Sequence, residues 1–205
     1  MLTTTRPRDA IAALRRFVRA QPVDFCEFCG IPVPDHHGHV VEPATRQVSC
    51  VCLVCGEAMS ARPDRRYRPV PTRAEKLDGF RLSDADWHSL GLPIDMAFLF
   101  HSTPDEGPIA LYPGPLGVTQ AAVAADAWGA LLRANPLLGE FEPDVEALLV
   151  DRRGGRRSCY RVPIDRCYAL AGTIRQHWQG FSGGDGVWQA IDDFLAGIGQ
   201  GPGGR

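Results

Sequence analysis

Two short segments constrain this chain more than anything else in it: Cys26-Glu-Phe-Cys29-Gly30 and Cys52-Leu-Val-Cys55-Gly56, with 22 residues between Cys29 and Cys52. Two intervening residues let paired thiolates grip one ion, and a glycine after each pair suits the positive φ of a tight turn that brings backbone N–H groups toward sulfur. Cys26, Cys29, Cys52 and Cys55 are therefore the candidate metal ligands. Four thiolates suit tetrahedral Zn2+; a rubredoxin-like Fe site has the same spacing and is the alternative. Iron sites of that type pack aromatic side chains around the metal, and only Phe25 and Phe28 stand close in sequence, which favours zinc.

The segment between the pairs reads as a hairpin. His39-Val-Val-Glu42 and Arg46-Gln-Val-Ser-Cys-Val-Cys52 pair about the turn Pro43-Ala44-Thr45, which returns the second pair to the first. A module of about 35 residues is too small to be held by its own apolar core, whereas a structural zinc site supplies about 10–16 kcal/mol of apparent binding energy. The third cysteine of Cys50-Val-Cys52-Leu-Val-Cys55 is the puzzle. Along a strand Cys50 and Cys52 share a face, and the hairpin puts His36, His37 and His39 across from them. These four residues could orient the ligands, replace one of them, or form a separate weak site from Cys50, His37 and His39. The bland alternative is a set of exposed loop histidines and a small buried thiol.

Composition sets the outer bounds. The chain has 205 residues, a net charge of −2 and 44% hydrophobic residues, an ordinary balance for a globular protein and a poor one for general nucleic-acid binding. Its 22 basic residues are all arginine except Lys76. The first 20 residues lack the apolar run of a secretory signal, no stretch approaches the length needed to span a bilayer, and seven cysteines fit a reducing compartment. A cytoplasmic protein without membrane insertion is expected.

The expected fold class is α+β: an N-terminal helix and a four-cysteine zinc-ribbon or rubredoxin-like knuckle module, followed by an α+β domain of two hairpins and three to four helices. Residues 1–22 read as an amphipathic helix, with Ile11, Leu14, Phe17 and Val18 on one face. Residues 23–58 are the metal module, 59–79 an Arg/Pro-rich linker with an extended piece at Tyr67–Val70, 80–199 the α+β domain and 200–205 a flexible tail. Within the domain, MAFLFHS and PIALYPG flank one turn, and EALLVDRR and RRSCYRVP flank Gly154-Gly155. Helices are expected across Gln120–Arg133, Ile164–Trp178 and Gly186–Ile198, with Ser83 capping a shorter one.

Other features carry less chemistry. Arg152, Arg153, Arg156 and Arg157 surround the second turn and could dock an acidic partner or phosphate. Cys159 and Cys167 read as buried thiols, and Asp144 and Glu146 as a solvated strand edge in preference to a catalytic pair. No phosphate loop or nucleophile elbow occurs, so a non-enzymatic protein is expected.

Taken together, FCEFCG with His37-x-His39, CVCLVC, RYRPVP, LGLPIDMAFLF, ALYPGP, EPDVEALLV and VPIDRCYALAG resemble an uncharacterised bacterial family over about residues 24–196. Its genes lie beside those of high-affinity uptake nickel–iron hydrogenases. The resemblance implies an accessory role with a protein partner, such as hydrogenase subunits or maturation factors; it implies no catalytic residue and no particular metal. A rubredoxin-like electron carrier, a zinc-ribbon nucleic-acid-binding regulator and an enzyme of the α+β domain are the rival functions.

Overall fold

A computed structural model describes residues 23–180 and 183–198. The helix expected within residues 1–22 and the tail at 200–205 lie outside the described residues.

The larger sheet grows from two hairpins. Strand β5 (Met96–Ser102) pairs with β6 (Gly107–Gly114), and β8 (Glu146–Asp151) with β9 (Ser158–Pro163). Gly154 and Gly155 take φ of 60° and 80° in the second turn, the region that glycine enters without a Cβ clash. Lateral pairing of β5 with β8 joins the hairpins. With the edge strands β4 (Glu75–Lys76) and β7 (Gly117–Ala122), the order is β4-β9-β8-β5-β6-β7, antiparallel throughout.

Side-chain alternation along β5 explains how an antiparallel sheet comes to be buried on both faces. Met96, Phe98 and Phe100 point into one core, with Leu149, Val162, Leu170 and Ile191. Ala97 and Leu99 point into the other, with Trp87, Trp128, Leu131 and Leu148. Helix α1 spans Leu53–Ser60, α2 Asp84–Ser89, α3 Ala125–Ala134, α4 Ile164–His177 and α5 Gly184–Ala196. Helices α4 and α5 cover the first face; α2 and α3 cover the second. Ser83 begins α2 with a reciprocal cap: its hydroxyl accepts the Asp86 N–H and the Asp86 carboxylate accepts the Ser83 N–H.

Two expectations change. Gln120–Ala122, expected to open the helix that runs to Arg133, lies in β7, and the helix begins at Ala125. Pairing with β6, from Ile109↔Ala122 to Gly114↔Gly117, overrides the helical preference of the alanines. The Arg/Pro-rich segment 59–79 serves both sheets: β3 (Arg68–Pro69), within the extended piece expected there, pairs with β1 (Gly38–Glu42) of the metal module, and β4 pairs with β9.

The smaller sheet has the order β2-β1-β3, with β1 at Gly38–Glu42 and β2 at Gln47–Val51. Its two faces have different neighbours. Val40 and Val51 meet Cys26 and Val33 in a small core of their own, whereas Val41, Val48 and Val70 pack into the main core beside α4.

Candidate metal centre

Cys26, Cys29, Cys52 and Cys55 converge, each offering a sulfur within 4.8 Å of the other three. The first pair sits in a tight turn: the Cys26 N–H donates to the Ile31 carbonyl, the Gly30 N–H donates to the Cys26 carbonyl, and Gly30 has φ 72°. The second pair is built differently. Cys52 is the N-cap of α1, its sulfur accepting the Cys55 N–H at 3.4 Å, and Cys55 lies in the first turn.

This changes the reading of Gly56. It is helical and has no positive φ; a Cβ in its place would lie 3.2 Å from Cγ2 of Val51, so closeness to β2 is what favours a small residue. The module is accordingly a knuckle, a hairpin and a helix, with the second cysteine pair at the helix start.

Electrostatics make the four sulfurs unequal. Burial pushes the Cys26 thiol up, but backbone N–H groups of Cys52, Phe28 and Cys29 aimed at its sulfur bring it down to about 6. The neighbouring Cys29 and Cys52 sulfurs hold Cys55 up at about 12. Four thiols this close cannot all ionise without a cation among them, so the cluster is chemically suited to a metal ion. Cys26 is 1% exposed and Cys29 lies at the surface. Phe28 and Tyr67 pack at the site, their rings edge to face at 5.3 Å. Tyr67 is an aromatic neighbour that proximity in sequence did not show.

Cys50 belongs to a second cluster. In the register His39↔Cys50 the two face each other across β1 and β2, and with His37 they form a group whose donor atoms lie within 4.8 Å of one another. Cys52 instead turns its sulfur to Cys29, 3.8 Å away, so the shared face expected for Cys50 and Cys52 ends with the strand. His36 is exposed and outside both groups. Burial, followed by the charges of Glu27 and Asp24, raises the Cys50 thiol.

The remaining candidates are occupied by structural bonds. Arg152 and Arg157 pair with Asp84, Arg153 with Asp151 and Asp192, and Arg156 with Asp192 and Asp151. Four guanidiniums thus face three carboxylates, and the expected positive tip is largely neutralised. Asp144, at φ 67°, accepts the Thr103 N–H and hydroxyl and pairs with Arg68; Glu146 pairs with Arg161 at full burial. Neither is the solvated strand edge expected. Cys159 and Cys167 are buried, and burial raises both thiols, Cys159 to about 12.

Fold and site together define a mixed helix-and-sheet protein with a four-cysteine cluster near its N-terminal end. The chain belongs to the family of unknown function DUF5947, whose model matches residues 25–201. No curated protein and no solved structure matches it. Among the described residues no helix is long and apolar enough to cross a membrane.

Proposed function

We propose that this protein is a non-enzymatic accessory factor in which one structural ion, Zn2+, is held by Cys26, Cys29, Cys52 and Cys55 to shape a protein-docking surface. The convergence of four sulfurs from two distant segments around the buried Cys26 carries the reading. A core as small as Cys26, Val33, Val40 and Val51 needs such a cross-link. Apolar side chains cluster at the same end: Phe25 and Ile31 flank the first pair, and Leu53 and Val54, 78% and 73% exposed, lie between the cysteines of the second. Exposed apolar residues of this kind suit a protein partner. A nucleic-acid role gains no support from them or from the paired arginines. The resemblance to a family encoded beside uptake nickel–iron hydrogenases supports hydrogenase subunits or maturation factors as that partner, and a reducing cytoplasm as the setting.

The test is metal analysis and a visible absorption spectrum of protein purified without added metal, followed by affinity capture. A colourless protein with zinc at the four-cysteine site, which captures hydrogenase components through a surface lost in Leu53→Glu, is expected. Reducible iron–thiolate bands would replace this reading with the electron-carrier one. Captured proteins unaffected by Leu53→Glu would remove the docking surface from it.

A further inference from the structure

We propose that His37, His39 and Cys50 form a second metal site, distinct from the four-cysteine cluster, for a zinc-class divalent ion whose fourth coordination position opens onto a cleft.

The donor set is assembled by the fold. His39 lies in β1 and His37 just before it, their rings edge to face, and Cys50 is the cross-strand partner of His39. The imidazole rings lie 4.8 Å apart between centroids, and the three donor atoms are within 4.8 Å of one another. Zinc bonds of about 2.0–2.1 Å to nitrogen and 2.3 Å to sulfur require donors somewhat closer than this, which small side-chain rotations supply.

The tautomers point the same way. Nδ1 of His37 is 2.8 Å from the Pro34 carbonyl oxygen, which can only accept, so Nδ1 carries the proton in that bond. Neutral His37 then presents a lone pair at Nε2. That atom is buried and has no hydrogen-bond partner. An unpaired polar atom inside a protein is costly and uncommon, and a bound cation would satisfy it. Nδ1 of His39 lies 2.8 Å from Oδ2 of Asp165, whose Oδ1 accepts the Arg166 N–H at the start of α4. A carboxylate so placed fixes the orientation of a histidine and leaves Nε2 free, the usual support for a metal-bound imidazole.

Three protein donors leave one position of a tetrahedron. His37 and His39 line a cleft of about 500 Å³ between the small sheet and α4, whose wall includes Thr72, Asp165, Arg166 and Tyr168. A closed structural site has four protein ligands; three ligands, two of them lining open space, are the arrangement of a site that exchanges water for another donor. The second site thereby differs in kind from the first.

The experiment is zinc stoichiometry of the full chain, with Co2+ replacement as the spectroscopic probe. Two ions per chain are expected in the wild type. His39→Ala and Cys50→Ser should each lose the second ion and retain the ion of the four cysteines; Cys52→Ser should lose the four-cysteine ion and, because β1 and β2 depend on it, the second ion with it. Asp165→Asn, which removes no ligand, should weaken the second ion about 10–100-fold without changing the first. Added imidazole should alter the Co2+ spectrum of the wild type but not of Cys50→Ser. One ion in the wild type, unchanged in His39→Ala and absent in Cys52→Ser, overturns the second site and leaves the first intact. One ion lost in His39→Ala but kept in Cys52→Ser does the reverse. A second ion that survives both His39→Ala and Cys50→Ser also overturns the proposal.

Discussion

The two glycines that look equivalent in the sequence answer to different physics. Gly30 has φ 72° and free space where a Cβ would go, so Gly30→Ala meets only backbone strain and should cost about 1–2 kcal/mol. Gly56 is helical, and Gly56→Ala trades a helix-propensity gain of about 1 kcal/mol against crowding on Val51 at 3.2 Å, for a net change within about 1 kcal/mol. Chemical denaturation of the metal-loaded protein checks both; equal losses would mean that the second pair sits in a turn like the first. Arg161 and Glu146 form a pair whose side chains are 7% and 3% exposed. Arg161→Met leaves a buried carboxylate unpaired and should destabilise by about 3–5 kcal/mol, whereas adding Glu146→Leu should restore most of the loss. If the double variant is no more stable than the single one, the pair is not what makes Arg161 necessary.

At the scale of elements, the hairpin of β8 and β9 is fastened to α5 through Asp192, which accepts from both Arg156 and Arg153. These guanidiniums, Arg156 first, lower the Asp192 carboxyl to about 2. A depressed carboxylate stabilises the fold above its ordinary value of 3.8, and that contribution disappears as pH falls through about 2. The melting temperature of Asp192→Asn should therefore lie slightly below that of the wild type near neutrality, with the gap closing between pH 4 and 2. A gap that widens on acidification would be incompatible with this ion pair. The hairpins around Gly154-Gly155 and between β5 and β6 were legible in the sequence because turn and strand signals are local. So were the cysteine pairs, whose spacing is itself the chemistry. The strand at Gly117–Ala122 was not, because its alanines favour helix and only pairing with β6 decides otherwise. Tyr67 beside Phe28, and Asp165 beside His39 across 126 residues, are tertiary facts with no local signature.

Across the whole molecule, the metal module is small but not detached. Val41, Val48 and Val70 enter the main core, and polar ties cross to the larger sheet and its helices: His39 to Asp165, Arg46 to Asp105 and Gln120, and Arg68 to Asp144 and Glu142. The opposite face of the same sheet depends on a core of four buried residues and the cysteine cluster. Withdrawing metal should therefore release the module from one side only. Hydrogen exchange after chelation should show protection lost in β1, β2 and α1, while β5, β8 and α4 keep theirs, since their cores contain no cysteine of either cluster. Unchanged exchange in β1 and β2 would deny the ion a structural role. Loss of protection extending to β5 and β8 would mean that the ties through Asp165, Asp105 and Asp144 make the two sheets a single cooperative unit, with the ion stabilising the whole chain.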